Sequence, residues 1–256
     1  MEEEKMEDMK QVIFTRPHKT IYAAGDKIIK VFDRRYTAAD VLNEARNEAL
    51  VEQYATLDVP SFVSVSETPE GWCLARKKIE GKTLAEIMDE EPEKLETYME
   101  KFVALQMTVH GQKVFSIKRL RHKLMDQINS LKDVSATVRY ELATRLQSMP
   151  KHTKLCHGDF NPSNVIVDGD GRWWIIDWAH AAQGNASADA AMTYLLFCLE
   201  HKSKADLYLK LFCEKSDTAR QYVERWLPIV AAAQLTKQKE EQKDFLTGWI
   251  DVAEYQ

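Results

Sequence analysis

CHGDFNPSNVIVDGDGRWWIIDW, residues 156–178, sets three polar side chains at fixed intervals: Asp159, Asn164 five positions on, and Asp177 thirteen positions further. Two apolar runs lie between Asn164 and Asp177, Val165-Ile166-Val167 and Trp173-Trp174-Ile175-Ile176, separated by Asp168-Gly169-Asp170-Gly171. Asp-Gly between β-prone runs is a strong short-range signal for a hairpin. Asn164 therefore stands just before the first strand and Asp177 just after the second. Antiparallel pairing folds those two ends together and makes Asn164 and Asp177 neighbours at one edge of a small sheet.

Phosphoryl transfer requires such an arrangement. Mg²⁺ prefers hard oxygen donors, keeps several waters and is held by few protein groups plus the phosphates of a nucleotide. A carboxylate a few residues upstream orients the attacking hydroxyl and accepts its proton. Asp159 is placed for that task, Asn164 and Asp177 for the metal. Protein kinases use the same order, D-x-x-x-x-N followed by a metal-binding Asp. The spelling His157-Gly158-Asp159-Phe160-Asn161-Pro162-Ser163-Asn164, followed by Asp177-Trp178-Ala179, departs from their H-R-D and D-F-G forms. It resembles the aminoglycoside phosphotransferase and choline kinase family, small-molecule kinases on a protein-kinase-like fold. The resemblance is strongest over 156–195 and weaker before Pro60.

That resemblance implies an α+β, protein-kinase-like two-lobe fold with ATP between the lobes. The adenine would bond backbone groups of the lobe connection near Lys77 and Ile79. A further aspartate, Asp189 in this chain, would steady the catalytic loop, and the same residue would also suit a helix N-terminus. His157 is read as structural support of the loop, Ser163 as a residue that shapes it, and Cys156 as a small buried hydrophobe. Asp168 and Asp170 are read as turn residues.

The N-terminal lobe has to supply a cation for the phosphates. Lys30, before Val31-Phe32 at the end of a strand, matches the lysine of V-A-I-K in position, and Lys27 is the rival. Its glutamate is Glu44 or Glu48, four apart on one helix face. Alignment with the aminoglycoside family favours Glu44. No G-x-G-x-x-G covers the first hairpin, where Thr15-Arg16-Pro17-His18-Lys19 stands. Small-molecule members of the family often lack that glycine loop. Gly81-Lys82-Thr83 ends like a Walker A loop, but its first glycine would fall at Arg76.

The rest of the chain agrees with two lobes. Strands are expected over 11–15, 20–23, 27–32, 62–66 and 72–78, with a helix over 37–53. This gives a five-stranded, one-helix lobe at 1–79, a linker at 80–82 and a helical lobe at 83–256. Thr83 and Glu86 have the spacing of a capping box, and Pro92 suits the first turn of the next helix. Leu95, Tyr98, Met99, Phe102 and Val103 repeat at helical spacing and should face a core. Further helices are expected over 120–131, 136–147, 188–200, 204–213, 218–233 and 240–253.

Composition sets limits on partners. The net charge is −5 and the basic residues form no tract, which speaks against nucleic acid. Cys73, Cys156, Cys198 and Cys213 show no C-x-x-C spacing, consistent with a reduced, cytoplasmic protein. MEEEKMEDMK lacks an apolar core for a signal peptide. No apolar run approaches the ~18 residues that span a bilayer. The resulting expectation is an ATP- and Mg²⁺-dependent kinase of a small hydroxylated molecule, an antibiotic or a metabolite, with oligomeric state open. The helices after Asp189 should read the acceptor. Residues 201–256 hold nine Asp/Glu and nine Lys/Arg, so they carry no acidic excess for a polycation. Trp178, Tyr194, Trp226 and Trp249 could cage a quaternary amine, though each fits a core as well. Two other readings remain. A kinase-like nucleotide binder without chemistry is opposed by the retained Asp159, Asn164 and Asp177. A protein kinase is opposed by the short interval after Asp177 and the absence of A-P-E there.

Overall fold

The structure is a computed structural model that describes residues 11–16, 18–200 and 202–251. The acidic N-terminal decapeptide and the last two positions of the helix expected over 240–253 lie outside them. The described residues group into two compact units. One joins the chain up to Leu84 with Ser163–His180, and the other joins Ala85–Pro162 with the chain from Ala181 onward.

The first unit is built on an antiparallel five-stranded sheet: β1 (Gln11–Arg16), β2 (Lys19–Ala24), β3 (Lys27–Phe32), β4 (Phe62–Thr68) and β5 (Gly71–Lys77), in the order β1-β2-β3-β5-β4. All five expected strands are present. Gly25 makes the β2–β3 turn at φ 59° and Gly71 the β4–β5 turn at φ 142°. A Cβ on Gly71 would lie 2.0 Å from the Phe32 carbonyl oxygen, so only glycine fits there.

The single helix of this sheet, α1 (Ala38–Tyr54), starts at a capping box in which Thr37 and Asp40 bond each other's backbone amides. Its buried residues Val41, Glu44, Ala45, Glu48 and Val51 recur at helical spacing. Val41 and Ala45 pack on Phe32 and Leu74 of the sheet. Alternation along the strands puts Lys30 on the face of Phe32, and in register Lys30 pairs with Leu74 and Ile28 with Arg76. Lys30 and Arg76 are thereby buried where Glu44 and Glu48 point in.

The expected hairpin is β8 (Val165–Asp168) and β9 (Trp173–Ile175), with Val165 opposite Ile175. Asp168 closes its turn by accepting from the amides of Asp170 and Arg172, both at 2.9 Å, and from the Trp174 indole at 2.7 Å. One element differs from expectation. Gly81–Thr83, expected as a linker and helix cap, forms a strand, β6, paired with β8, and a helix starts directly after it at Leu84. A Cβ on Gly81 would sit 2.2 Å from the Val167 carbonyl oxygen, so the glycine permits this close pairing.

The second unit is helical. Its helices are α2 (Leu84–Glu90, which begins one residue before the unit), α3 (Leu95–Gly111, after a 3₁₀ turn at Pro92–Lys94), α4 (Leu120–Ser130), α5 (Ala136–Ser148), α6 (Ala186–Glu200), α7 (Lys202–Ser216), α8 (Arg220–Glu224), α9 (Leu227–Leu235) and α10 (Glu240–Asp251). The helix expected over 218–233 is two helices. Pro228 has no amide for a continuous ladder and opens α9 in its first turn. Met99, Phe102 and Val103 of α3 are fully buried, as their spacing predicts. Phe102 stacks on Phe160 at 4.5 Å between ring centroids and meets Phe197 and Tyr208 edge-on. The ring that follows Asp159 in sequence is therefore anchored in the helical core. Two short strands, β7 (Lys154–Cys156) and β10 (Ala182–Gly184), pair antiparallel in front of that loop.

Candidate active site

In the first unit, Lys30 is the centre of a buried ionic cluster. Its Nζ donates to Glu44 Oε1 and, at 3.1 Å, to Asp177 Oδ1. Glu44 is also 3.7 Å from Lys19 Nζ. Desolvation alone would lower the Lys30 pKa, but Asp177 and Glu44 outweigh it and hold the ammonium protonated well above its usual range. Desolvation likewise works against ionisation of Asp177. Lys30, Arg76 and Lys19 overcome it, and the carboxyl is held far below the ordinary carboxylate range.

The choice between glutamates resolves in the same cluster. Glu44 takes Lys30, whereas Glu48 lies 3.5 Å from Arg76 Nη1. The second carboxylate oxygen of Glu48 has no hydrogen-bond partner among the described residues. Its burial pushes the pKa up to about 7 against the pull of Arg76 and Lys30. Lys27, the rival of Lys30, is only half-buried, on the other side of the β3 alternation. Arg76 was missed in the sequence. Period-two alternation from Leu74 would have put it beside Lys30 on the helix-covered face.

Asn164 and Asp177 are neighbours, as the hairpin requires. The Asn164 carbonyl accepts from the Ile176 amide at 3.0 Å, and Asp177 follows directly. Asp177 has φ 63°, a left-handed conformation uncommon for a non-glycine residue and typical of constrained sites. Its side chain keeps 28% of its surface exposed. No cluster of three or more His, Cys, Asp or Glu fit to hold a metal exists among the described residues. A divalent cation at this edge would have one carboxylate, one amide oxygen and space in its shell for phosphate oxygens and water, which suits Mg²⁺. In the strand β5 exit, the Lys77 amide donates to Ser61 O at 2.9 Å and the Lys78 amide to Asp26 O at 2.8 Å. Neither amide is available to a ligand.

In the second unit, the loop from His157 to Asp159 is tied to α6 and α3. Asp189, fully enclosed, accepts from the amides of Gly158 at 2.7 Å and His157 at 3.2 Å. It also meets His110 Nε2 at 3.0 Å and Gln106 Nε2 at 3.4 Å. Burial would raise its pKa, but His110 and the Gly158 amide keep the carboxyl below its usual range. His157 is buried, and its Nδ1 accepts from the Asp159 amide at 3.3 Å. Thr193 Oγ1 donates to the Phe160 carbonyl at 2.9 Å. Asp159 itself is partly exposed, and its Oδ1 lies 3.2 Å from Lys237 Nζ. Gln106, His110 and Lys237 are far from the loop in sequence, and no local pattern marks them. Of the aromatic residues considered for an amine cage, Trp178, Tyr194 and Trp226 are buried.

A buried lysine–glutamate pair on a five-stranded sheet, an Asn and an Asp flanking a hairpin, and an aspartate on a loop tied to a helical core together define a protein-kinase-like phosphotransferase. The chain belongs to the phosphotransferase enzyme family (APH), whose sequence profile matches residues 18–212. Its fold is that of a thermostable mutant of aminoglycoside phosphotransferase APH(4)-Ia, solved in a ternary complex with ADP and hygromycin B, with a TM-score of 0.71 and 13% identity over 99% of this chain and 97% of that one. Choline kinase LicA from Streptococcus pneumoniae is similar at a TM-score of 0.64 and 17% identity, over 98% of this chain and 95% of that one. A choline/ethanolamine kinase family protein from Mesorhizobium loti gives 0.60 and 15%, over 96% of this chain and 86% of that one. A search of curated proteins found no match. No helix among the described residues is long and apolar enough to cross a membrane.

Proposed function

We propose that the protein transfers the γ-phosphoryl group of ATP to a hydroxyl of a small molecule, with Mg²⁺. The observation that carries this reading is the bonding of the buried Lys30 to both Glu44 and Asp177. Lys30 would bind the α- and β-phosphates, oriented by Glu44. Asp177 and Asn164 would hold Mg²⁺, which neutralises charge on the phosphates. With the Lys77 and Lys78 amides committed, an adenine hydrogen bond in that stretch would fall to the Lys77 carbonyl or to Ile79.

Asp159 would take the proton of the acceptor hydroxyl as its oxygen bonds to the γ-phosphorus. The bond from that phosphorus to the β–γ bridging oxygen breaks, and ADP leaves. Asp189 would act as a positioning residue, since it bonds the amides of His157 and Gly158 that precede Asp159. The cysteines of the described chain are all free thiols, and we place the protein in the reducing cytoplasm, where ATP and Mg²⁺ are abundant.

Titration calorimetry with ATP, with and without Mg²⁺, tests the donor half. Asp177→Ala should lose the Mg²⁺ enhancement of ATP binding more completely than Asn164→Ala, because it removes a full charge beside a dication. An Asp177→Ala protein with wild-type Mg²⁺ dependence would place the metal elsewhere.

A further inference from the structure

The charged side chains around Lys30 in the sheet unit differ in how far they reach the surface. Lys30, Glu44, Glu48 and Arg76 keep between 5% and 9% of their side chains exposed, whereas Asp177 keeps 28% and Lys19 24%. A ligand arriving from solvent meets the last two first. One is the carboxylate assigned to the metal. The other is an ammonium, the charge that phosphate oxygens need.

Three observations place that ammonium with Lys30. In register, Lys19 of β2 pairs with Phe32 and Ile21 with Lys30, so Lys19 stands on the face that carries Lys30 and Phe32. Glu44 bridges the two lysines, with Oε1 bonded by Lys30 and Oε2 3.7 Å from Lys19 Nζ. Lys19 Nζ also lies 5.0 Å from the ring centroid of Phe32 and 4.9 Å from that of Tyr36. These rings meet edge-on at 5.1 Å and fix where Lys19 stands. Its contact with Glu44 is longer than a hydrogen bond and is exchanged for a ligand oxygen at small cost.

The β1–β2 connection explains why a side chain is needed. A glycine-rich loop covers the phosphates of a nucleotide in protein kinases. Here Arg16 pairs with Lys19, so only two residues join the strands, and one of them is a proline, which has no amide. That connection is too short to cradle a phosphate chain, and the first residue after it is Lys19.

We infer that Lys19 is a second binding residue for the nucleotide, an ammonium that takes the phosphates beyond the α-phosphate in place of a glycine loop. This rests on the reading of Lys30 as the cation for the α- and β-phosphates. As the nucleotide enters, Lys19 leaves Oε2 of Glu44 for a phosphate oxygen, and Glu44 keeps Lys30 in place.

The test is calorimetric titration of AMP, ADP and the non-hydrolysable analogue AMP-PNP, each with and without Mg²⁺. It is run on wild type, Lys19→Met, Lys19→Arg and Lys30→Met. In Lys19→Met the loss of affinity should grow from AMP to ADP to AMP-PNP and reach about 10-fold or more for AMP-PNP. The Mg²⁺ enhancement should persist, and Lys19→Arg, which keeps the charge, should recover most of the loss. Unchanged AMP-PNP affinity in Lys19→Met would overturn the inference. So would an equal loss for all three nucleotides, which is the result expected if Lys19 only supports Glu44. Disappearance of the Mg²⁺ enhancement would overturn it too, because the effect would then run through Asp177. Wild-type AMP-PNP affinity in Lys30→Met, or a wild-type protein that binds none of the three, would instead overturn the reading of Lys30 on which the inference stands. If Lys19→Met does not fold, Lys19→Gln carries the same comparison.

Discussion

The candidate residues of the two units are stabilised in opposite ways. In the sheet unit, three carboxylates and three cations face each other in one cluster: Glu44, Glu48 and Asp177 against Lys19, Lys30 and Arg76, with only Asp177 and Lys19 partly exposed. The groups that would meet nucleotide are charged and fixed before it arrives. In the helical unit, the buried charge is spent on the backbone, where Asp189 pins two loop amides. The residue that would meet the acceptor, Asp159, is left partly exposed and pairs with Lys237 from a distant helix end. A donor site held by fixed charges and an acceptor residue with an adjustable partner would let one kinase scaffold keep its chemistry while its acceptor changes.

The largest effect that could break this contrast is on stability. Asp189→Ala should cost about 3–5 kcal/mol, because it leaves His110 and two amides unpaired in the core. Urea unfolding measures this, and a loss below about 1 kcal/mol would mean that the loop is held by other means. Lys30→Met comes next and should lower turnover by about 10²-fold, since misplaced phosphates lose a near-attack geometry. Steady-state kinetics at saturating ATP will show it.

A finer comparison lies within the cluster. Glu44→Gln should lower turnover much more than Glu48→Gln, because only Glu44 bonds Lys30. Equal losses would show that the pair acts as a unit.

The smallest effects are two opposite slopes of stability with pH. Glu48, raised from 4.5 to about 7, binds more protons folded than unfolded between those values, so its contribution falls as pH rises from ~4.5 to ~7. Lys123, lowered from 10.5 to about 7, binds fewer protons folded, so its contribution increases as pH rises from ~7 to ~10.5. Thermal melts across pH should lose the first limb in Glu48→Gln and the second in Lys123→Met. Unaltered limbs in these variants would mean that neither group is perturbed by its surroundings.

The same contrast explains what the sequence could show. The sheet unit was legible because its chemistry sits on short-range patterns. The hairpin between Asn164 and Asp177 follows from Asp-Gly punctuation, and Lys30 from its place before Val31-Phe32 at the end of a strand. Glu44 and Glu48 could be narrowed to one helix face but not separated, since their choice depends on Arg76 across the sheet. In the helical unit, Asp159 was legible from its spacing, and Asp189 from resemblance. Gln106, His110 and Lys237 were not, because only tertiary packing brings them to the loop and to Asp189. The strand pairing of Gly81–Thr83 was not legible because its partner, β8, lies more than eighty residues away. Pro228 could have split the helix expected over 218–233, since its missing amide was visible in the sequence.

The central claim is that Asp159 serves a phosphoryl transfer whose donor is held independently of it. It is tested most directly by ³¹P NMR of ATP and Mg²⁺ with a neutral, an anionic and a cationic hydroxyl acceptor (glycerol, glycerate, choline) and hygromycin B, comparing wild type with Asp159→Asn, alongside calorimetric ATP affinities of both. The account predicts transfer of the γ-phosphoryl group to at least one acceptor hydroxyl, a fall of about 10²-fold or more in Asp159→Asn, and equal ATP affinity. Near wild-type transfer by Asp159→Asn, or a wild-type protein that binds ATP with Mg²⁺ and transfers phosphate to none of them, would contradict it.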